Sequence, residues 1–270
     1  MFALVALSAE LAEQLVAVET GGDDAVHQAR TRVRRLRSVL GVYRRAFRPD
    51  ETRRMRDRLR ELGAVLGETR DLEVRADDLE NLLAAQTAPD VVDAVLGFSQ
   101  QARDAYDASL TSLLGHLRSR SNRILLADLQ VFAAEPPLRG RGRKHPDRVG
   151  SAGLANARRR VTDGGQDTLE ELHELRKAAR RLRYAADAMT DTFGRKAVRT
   201  AAAAEAVQDA LGDHRDFVLL GMHLRARAAD AELSASAAAG VARLAADCDS
   251  EAAARLDELP ALVAAVGDAA

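Results

Sequence analysis

Lysine is nearly missing from this chain: Lys144, Lys177 and Lys196 are the only ones among 40 basic residues. The positive charge is therefore almost all arginine, whose planar fork can make two parallel bonds to a phosphate or carboxylate. Tryptophan is absent and aromatic residues make up 3% of the chain, which argues against the stacking platforms used by single-stranded nucleic acid binders. The single cysteine, Cys248, excludes an intrachain disulfide and reads as a small buried or half-buried residue in a reduced compartment. The valine, isoleucine and aromatic runs that mark strands are missing. Alanine and leucine are abundant instead, which favours helix throughout. No run of apolar residues is long enough for a membrane span. Met1 to Val18 lacks a basic leader and is interrupted by Glu10 and Glu13, so it reads as an amphipathic helix rather than a signal peptide.

The excess of either charge sign is also small, with a formal net charge of -1 from 40 basic and 41 acidic residues. A polyanion partner then follows only where positive charge is clustered. It is clustered twice. His27-Gln28-Ala29-Arg30-Thr31-Arg32-Val33-Arg34-Arg35-Leu36-Arg37 shares the frame H-x-x-R-x-x-x-R-R-L-R with His173-Glu174-Leu175-Arg176-Lys177-Ala178-Ala179-Arg180-Arg181-Leu182-Arg183, offset by 146 positions. At about 100° per residue, Arg30, Arg34 and Arg37 fall within roughly 80° of His27. Val33, Leu36, Leu40 and Tyr43 occupy the adjacent arc and are the candidates for burial. The second motif repeats this with His173, Arg176, Arg180 and Arg183 beside Leu175, Ala179, Leu182 and Ala186. Like charges at these spacings cost a helix a few tenths of a kcal/mol per pair. Only Glu174 lies within either motif to offset that cost, so the stripes call for an external anion.

The repeat extends beyond the basic helices. Phe47 and Phe193 keep the 146-residue offset, and Leu66-Gly67-Glu68-Thr69-Arg70-Asp71 returns as Leu211-Gly212-Asp213-His214-Arg215-Asp216 at 145. Matched blocks in the same order indicate a duplicated unit. Periodicity and breakers give about four helices per half. The first repeat is expected over 1–135 and the second over 153–270. The stretch 136–152, with its prolines, glycines and basic run Arg139 to His145, is expected to be a mobile linker. Asp23 or Asp24 is expected to cap the first basic helix. Gly67 and Gly212 mark either close helix packing or a bend. Other arginines extend the basic surface: Arg53, Arg56 and Arg60 share one side of the third helix, Arg54 and Arg58 another. Arg54 and Arg199 match at the 145-residue offset, and Arg118, Arg120 and Arg123 cluster near a bend at Ser119–Asn122.

These blocks resemble the CHAD family, the conserved histidine alpha-helical domain. The two His/Arg frames carry the resemblance, together with the two Leu-Gly-x-x-Arg-Asp blocks and Ser119-x-Ser121-x-Arg123 with the flanking Arg120. The similarity covers nearly the whole chain. It implies an all-α fold of two four-helix bundles related by an approximate twofold axis. It also implies a basic central groove that binds inorganic polyphosphate, and some relatives are associated with polyphosphate granules. Carried onto matching positions, the first-half ligands are His27, Arg30, Arg34, Arg35 and Arg37. The second-half ligands are His173, Arg176, Arg180, Arg181 and Arg183, joined by Lys177, opposite which the first half has Thr31. Arg54, Arg199, Arg120 and Arg123 complete the expected set.

The expected activity is non-catalytic binding of polyphosphate in a cytoplasmic, granule-associated setting, with no cofactor, metal or catalytic residue. A nucleic-acid or generic polyanion-binding module is one alternative, since phosphate contacts are chemically alike. A phosphohydrolase or phosphotransfer enzyme is the other, through a helical histidine. No P-loop or zinc-ligand spacing supports it.

Overall fold

The computed structural model describes residues 2–230 and 232–269. Among these the regular structure is helical throughout, apart from one isolated antiparallel bridge between Phe47 and Leu138. In chain order the helices are α1 (Phe2–Glu19), α2 (Ala25–Val42), α3 (Pro49–Ala84), α4 (Pro89–Leu117), α5 (Arg120–Ala134), α6 (Gly140–Lys144), α7 (Pro146–Thr162), α8 (Leu169–Asp187), α9 (Thr190–Phe193), α10 (Arg195–Ala228), α11 (Ala235–Ala254) and α12 (Leu259–Asp268). None of the described helices is long and apolar enough to cross a membrane.

Local chemistry sets the boundaries. Pro49 and Pro89 open α3 and α4, where the missing N–H is no loss and the fixed φ suits the first turn. Ser119 caps α5, its hydroxyl accepting from the Asn122 N–H at 3.2 Å, and so turns the expected bend into a helix break. Thr168 and Glu171 close a reciprocal capping box on α8: the Glu171 N–H donates to the Thr168 hydroxyl at 3.2 Å and the Thr168 N–H donates to the Glu171 carboxylate at 3.0 Å. Together they satisfy donors that no helical carbonyl can reach. The cap expected on α2 takes a different form. Asp24 occupies the position in a left-handed conformation, φ 50°, without a side-chain capping bond, and its carboxylate accepts from Gln28 Nε2 at 2.9 Å.

The expected linker is a correction. Over 136–152 the chain forms α6 and the first turns of α7 instead of a mobile loop. Within this stretch Gly142, and just past it Gly153, serve close approach, whereas a Cβ at Gly140 would meet nothing within 4 Å. A Cβ at Gly142 would lie 2.5 Å from the Ala46 carbonyl oxygen, and one at Gly153 would lie 2.9 Å from the Tyr43 ring. Pro146 then stands in the first turn of α7 with Asp147, which suits a helix start. Helix α1 is also less amphipathic than its glutamates imply. Leu4, Leu7, Leu11, Leu15 and Val18 are buried, yet Val5 and Val16 on the other side are 49% and 60% exposed.

The chain divides into two compact units, and each takes segments from both halves of the sequence. The first comprises Met1–Gly67, Leu113–Asp209 and Pro260–Ala270; the second comprises Glu68–Ser112 and Ala210–Leu259. In the first unit α1 packs on α2 and α5, α2 packs on α8 and α7, and α7 packs on α8. Its core holds Leu11, Val33, Leu36, Leu40, Leu59, Leu175 and Leu182, all with under 2% exposure. The second unit closes around Ala76, Leu79, Phe98, Leu224, Val241 and Cys248. Burial there pushes the Cys248 thiol pKa up, with Asp249 and Asp247 adding to it, so the cysteine is a packed thiol with no activated thiolate.

Candidate anion-binding groove

The first unit builds a basic groove from α2 and α8. On α2 the buried face is Ala29, Val33, Leu36, Leu40 and the following Tyr43; on α8 it is Leu172, Leu175, Ala179, Leu182 and Ala186. The Tyr43 hydroxyl donates to the Ala185 carbonyl at 2.8 Å and ties the end of α2 to α8. Burial raises the pKa of this hydroxyl, so it stays a donor. With these apolar faces fixed, helical phase turns the arginines of both motifs toward a common side. The resulting groove has a volume of about 830 Å³.

Nine arginines line it: Arg34 and Arg37 from α2, Arg44 and Arg45 from the turn that follows, Arg56 from α3, Arg159 and Arg160 from α7, and Arg180 and Arg181 from α8. Among the described residues, Asp163 is the one carboxylate and Asn156 the one amide in the lining, and no aromatic ring or histidine is part of it. The Asp163 carboxylate already accepts from the Thr162 hydroxyl at 3.1 Å.

The half-buried arginines repel one another. The Arg34 guanidinium pKa falls to about 9, first through burial and then through Arg180, Arg30 and Arg176. That of Arg180 falls to about 10, again first through burial, then through Arg176 and, more weakly, Arg181 and Arg30. Arg37 is lowered by burial and by Arg56, Arg60 and Arg181, and Arg56 by burial and by Arg181. All four remain protonated at neutral pH. Among the described residues no carboxylate forms an ion pair with Arg34, Arg37, Arg56 or Arg180. The cluster is thus a set of desolvated cations held together by the packing beneath them, and an anion entering it meets charges whose desolvation has already occurred.

Of the expected site residues, Arg34, Arg37, Arg180 and Arg181 line the groove. Arg30 and Arg176 lie deeper along the same helices, half-buried, and act on Arg34 and Arg180 through their charge. The Arg30 guanidinium passes over Gly67, where an added Cβ would stand 3.5 Å from it, an ordinary contact distance. At Gly212 nothing lies within 4 Å. His27 in the first turn of α2 and His173 in the second turn of α8 are half-buried and stand outside the groove lining. Arg35 and Arg183 flank the Tyr184 ring at 5.4 and 5.7 Å, and Arg183 also pairs with Glu205 at 2.6 Å. Lys177 pairs with Glu174 one turn away. Arg54 and Arg199 are exposed on α3 and α10. Arg120 is exposed at the start of α5, and Arg123 donates to the Arg118 carbonyl at 2.7 Å. None of these last four lines the groove.

The structure adds four groove arginines that the repeat does not single out: Arg44, Arg45, Arg159 and Arg160. The signal for them was the bare run Arg158-Arg159-Arg160 and the pair Arg44-Arg45. Neither falls inside a repeated block, so only the packing of α7 on α8 and α2 brings them in. Arg56 joins them from the third helix, away from its neighbours Arg53 and Arg60, which pair with Asp50 at 3.9 Å and with Asp57 at 3.0 Å.

Helices packed to gather arginines along one groove define an all-helical protein with a basic cleft. The chain belongs to the CHAD domain family, whose model matches residues 4–225. It is 34% identical over 230 residues to two Mycobacterium tuberculosis proteins, "Uncharacterized protein MT2285" of strain CDC 1551 / Oshkosh and "Uncharacterized protein Rv2226" of strain H37Rv. Each match covers 80% of this chain and 43% of the relative, so the chain spans less than half the length of these proteins. Two solved structures share the fold. PptA from Streptomyces chartreusis superposes with a TM-score of 0.76 at 19% identity, over 96% of this chain and 95% of that one. The crystal structure of the CHAD domain from the plant Ricinus communis superposes at 0.72 and 24% identity, over 98% and 89%.

Proposed function

We propose that this protein binds inorganic polyphosphate, without catalysis, in the arginine groove of its first unit. The observation that carries the reading is the lining itself: nine arginines against one carboxylate, in a chain whose formal net charge is -1. Guanidinium forks match the oxygen geometry of successive phosphates. Arg34, Arg37, Arg180 and Arg181 are the direct contacts. Arg30 and Arg176 supply the field behind them, and His27, His173, Arg35, Lys177 and Arg183 act from the flanks of the same helices. Arg54, Arg120, Arg123 and Arg199 form an outer basic surface. Membership of the CHAD family supports the same ligand class and, with it, association with polyphosphate granules in the cytoplasm. The duplicated motifs support descent of the two halves from one repeat.

The lining also separates this reading from its rivals. Among the described residues it offers no aromatic ring on which a base could stack, which favours a bare phosphate chain over nucleic acid. Neither motif histidine lines the groove, which favours binding over hydrolysis.

Isothermal titration with polyphosphate tests the proposal. Affinity should fall steeply as salt rises, because each neutralised phosphate releases a counterion. Reversal of Arg30, Arg34, Arg176 and Arg180 to glutamate should abolish binding while far-UV circular dichroism stays helical. Binding indifferent to salt, or unaffected by the four reversals in a folded variant, would remove the groove from the function. RNA and DNA competing as strongly as polyphosphate at matched charge and salt would show a generic polyanion site. Shortening of the polyphosphate chain on incubation with divalent metal would show an enzyme.

A further inference from the structure

The groove arginines fall into two tiers. Arg34, Arg37, Arg56 and Arg180 are half-buried and form a floor, whereas Arg44, Arg45, Arg159, Arg160 and Arg181 are exposed along its edge. The tiers differ in physics as well as depth. The pKa values of the floor guanidiniums are lowered by burial and by one another. The edge cations sit in water, where their field reaches outward for about a Debye length, roughly 8–10 Å at ordinary salt.

The edge is also extended. Tyr43, next to Arg44, packs at Gly153 of α7, and Arg160 stands seven residues further along that helix, about 10 Å at 1.5 Å per residue. Asp163 closes that end of the lining beside Arg159 and Arg160; with Arg181 assigned to direct contact on α8, the remaining exposed cations of the edge are Arg44, Arg45, Arg159 and Arg160. Arg159 donates to the Asn156 amide oxygen.

We infer that Arg44, Arg45, Arg159 and Arg160 are a capture rim. They steer an extended, multiply charged phosphate chain into the groove and set its preference for long chains, while the floor arginines set how long the chain stays. This rests on the reading of the groove as a polyphosphate site. Exposed charges act mainly on the association rate, because they work on the ligand at a distance. Desolvated charges act mainly on dissociation, because their contacts exist only in the bound state. An orthophosphate or tripolyphosphate ion presents few charges and covers less of the rim than a long chain does. The rim therefore adds more to affinity as the ligand lengthens.

The experiment is stopped-flow binding of long-chain polyphosphate and of tripolyphosphate to the full chain at low and high salt. The wild type is compared with Arg44→Ala/Arg45→Ala, Arg159→Ala/Arg160→Ala and the floor variant Arg34→Gln. Each rim pair should lower the association rate constant for long chains about tenfold at low salt, with a smaller change in dissociation and a smaller loss for tripolyphosphate. Arg34→Gln should do the reverse and speed dissociation. Lysine at the rim, Arg44→Lys/Arg45→Lys, should restore the association rate, because steering needs only charge. Arg34→Lys should leave dissociation fast, because holding needs the planar fork. Rim variants that speed dissociation, or that weaken tripolyphosphate as much as the long chain, overturn the capture role while leaving the groove intact. A wild type that binds neither ligand overturns the polyphosphate reading itself.

Discussion

Arg34 should destabilise the free protein that carries it. Its guanidinium is half-buried, its nearest charged influences are Arg180, Arg30 and Arg176, and its pKa is drawn well below the ordinary arginine value, to about 9. A displacement of that size corresponds to about 4–5 kcal/mol against the charged form, at 1.36 kcal/mol per unit of pKa. The replacement Arg34→Met keeps an unbranched apolar stem and removes the charge. Residual solvation of the guanidinium and the loss of its contacts take back part of this, leaving a net gain of about 2 kcal/mol. For a chain of this size that is roughly 4–8 °C in melting temperature. Differential scanning calorimetry without ligand should therefore show Arg34→Met melting above the wild type. Polyphosphate should reverse the order. At a ligand concentration of about 100 times the dissociation constant, binding adds about 2.7 kcal/mol to the wild type, and the variant gains far less. A variant that melts below the wild type without polyphosphate would refute the account of Arg34 as an uncompensated cation kept for an external anion.

Two further outcomes follow from the same geometry. The Arg34 and Arg180 guanidiniums have folded pKa values lowered to about 9 and about 10, well below the ordinary arginine value of the unfolded chain, so the unfolded chain holds these protons more tightly. Stability should then rise with pH from about 9 upward as the folded state sheds the repulsion. The difference in melting temperature between Arg34→Met and the wild type should accordingly shrink between about pH 8 and 10.5, and a constant difference would contradict the assigned repulsion. Gly153→Ala should cost about 1–3 kcal/mol in chemical denaturation, because its Cβ would stand 2.9 Å from the Tyr43 ring and the ring is held by its bond to Ala185; an unchanged denaturation midpoint would show that Tyr43 moves freely.

Much of the helix content was legible because it rests on local rules. Pro49, Pro89, Gly21 and Gly194 break the chain where helices end or begin. The buried arc of the first basic helix, Val33, Leu36, Leu40 and Tyr43, is the one that helical phase predicts. The stretch 136–152 was misread because glycine and proline carry two meanings. Gly142 and Gly153 look like loop residues in sequence, yet each is needed where another segment presses on a helix. That requirement lives in the neighbour, Ala46 or Tyr43, and not in the local pattern.

The candidate site divides in the same way. The repeated frame marked α2 and α8 and, within them, Arg34, Arg37, Arg180 and Arg181 as groove residues. It also drew in Arg183 and Lys177, which the folded chain pairs with Glu205 and Glu174, because a carboxylate on another helix or one turn away cannot be weighed from a motif alone. It passed over Arg44, Arg45, Arg159 and Arg160, whose place depends on α7 crossing beside α2 and α8.

The sequence by itself determined that the chain is helical, that its cations are arginines, and that two of its helices carry them on one stripe. These are consequences of composition and of a period of 3.6 residues, which act within a single helix. Only the tertiary structure decided which arginines share a groove, which are bound by carboxylates, and which lose water without gaining a partner. Those outcomes depend on distances between segments far apart in the chain. Charge interactions and desolvation are set by those distances.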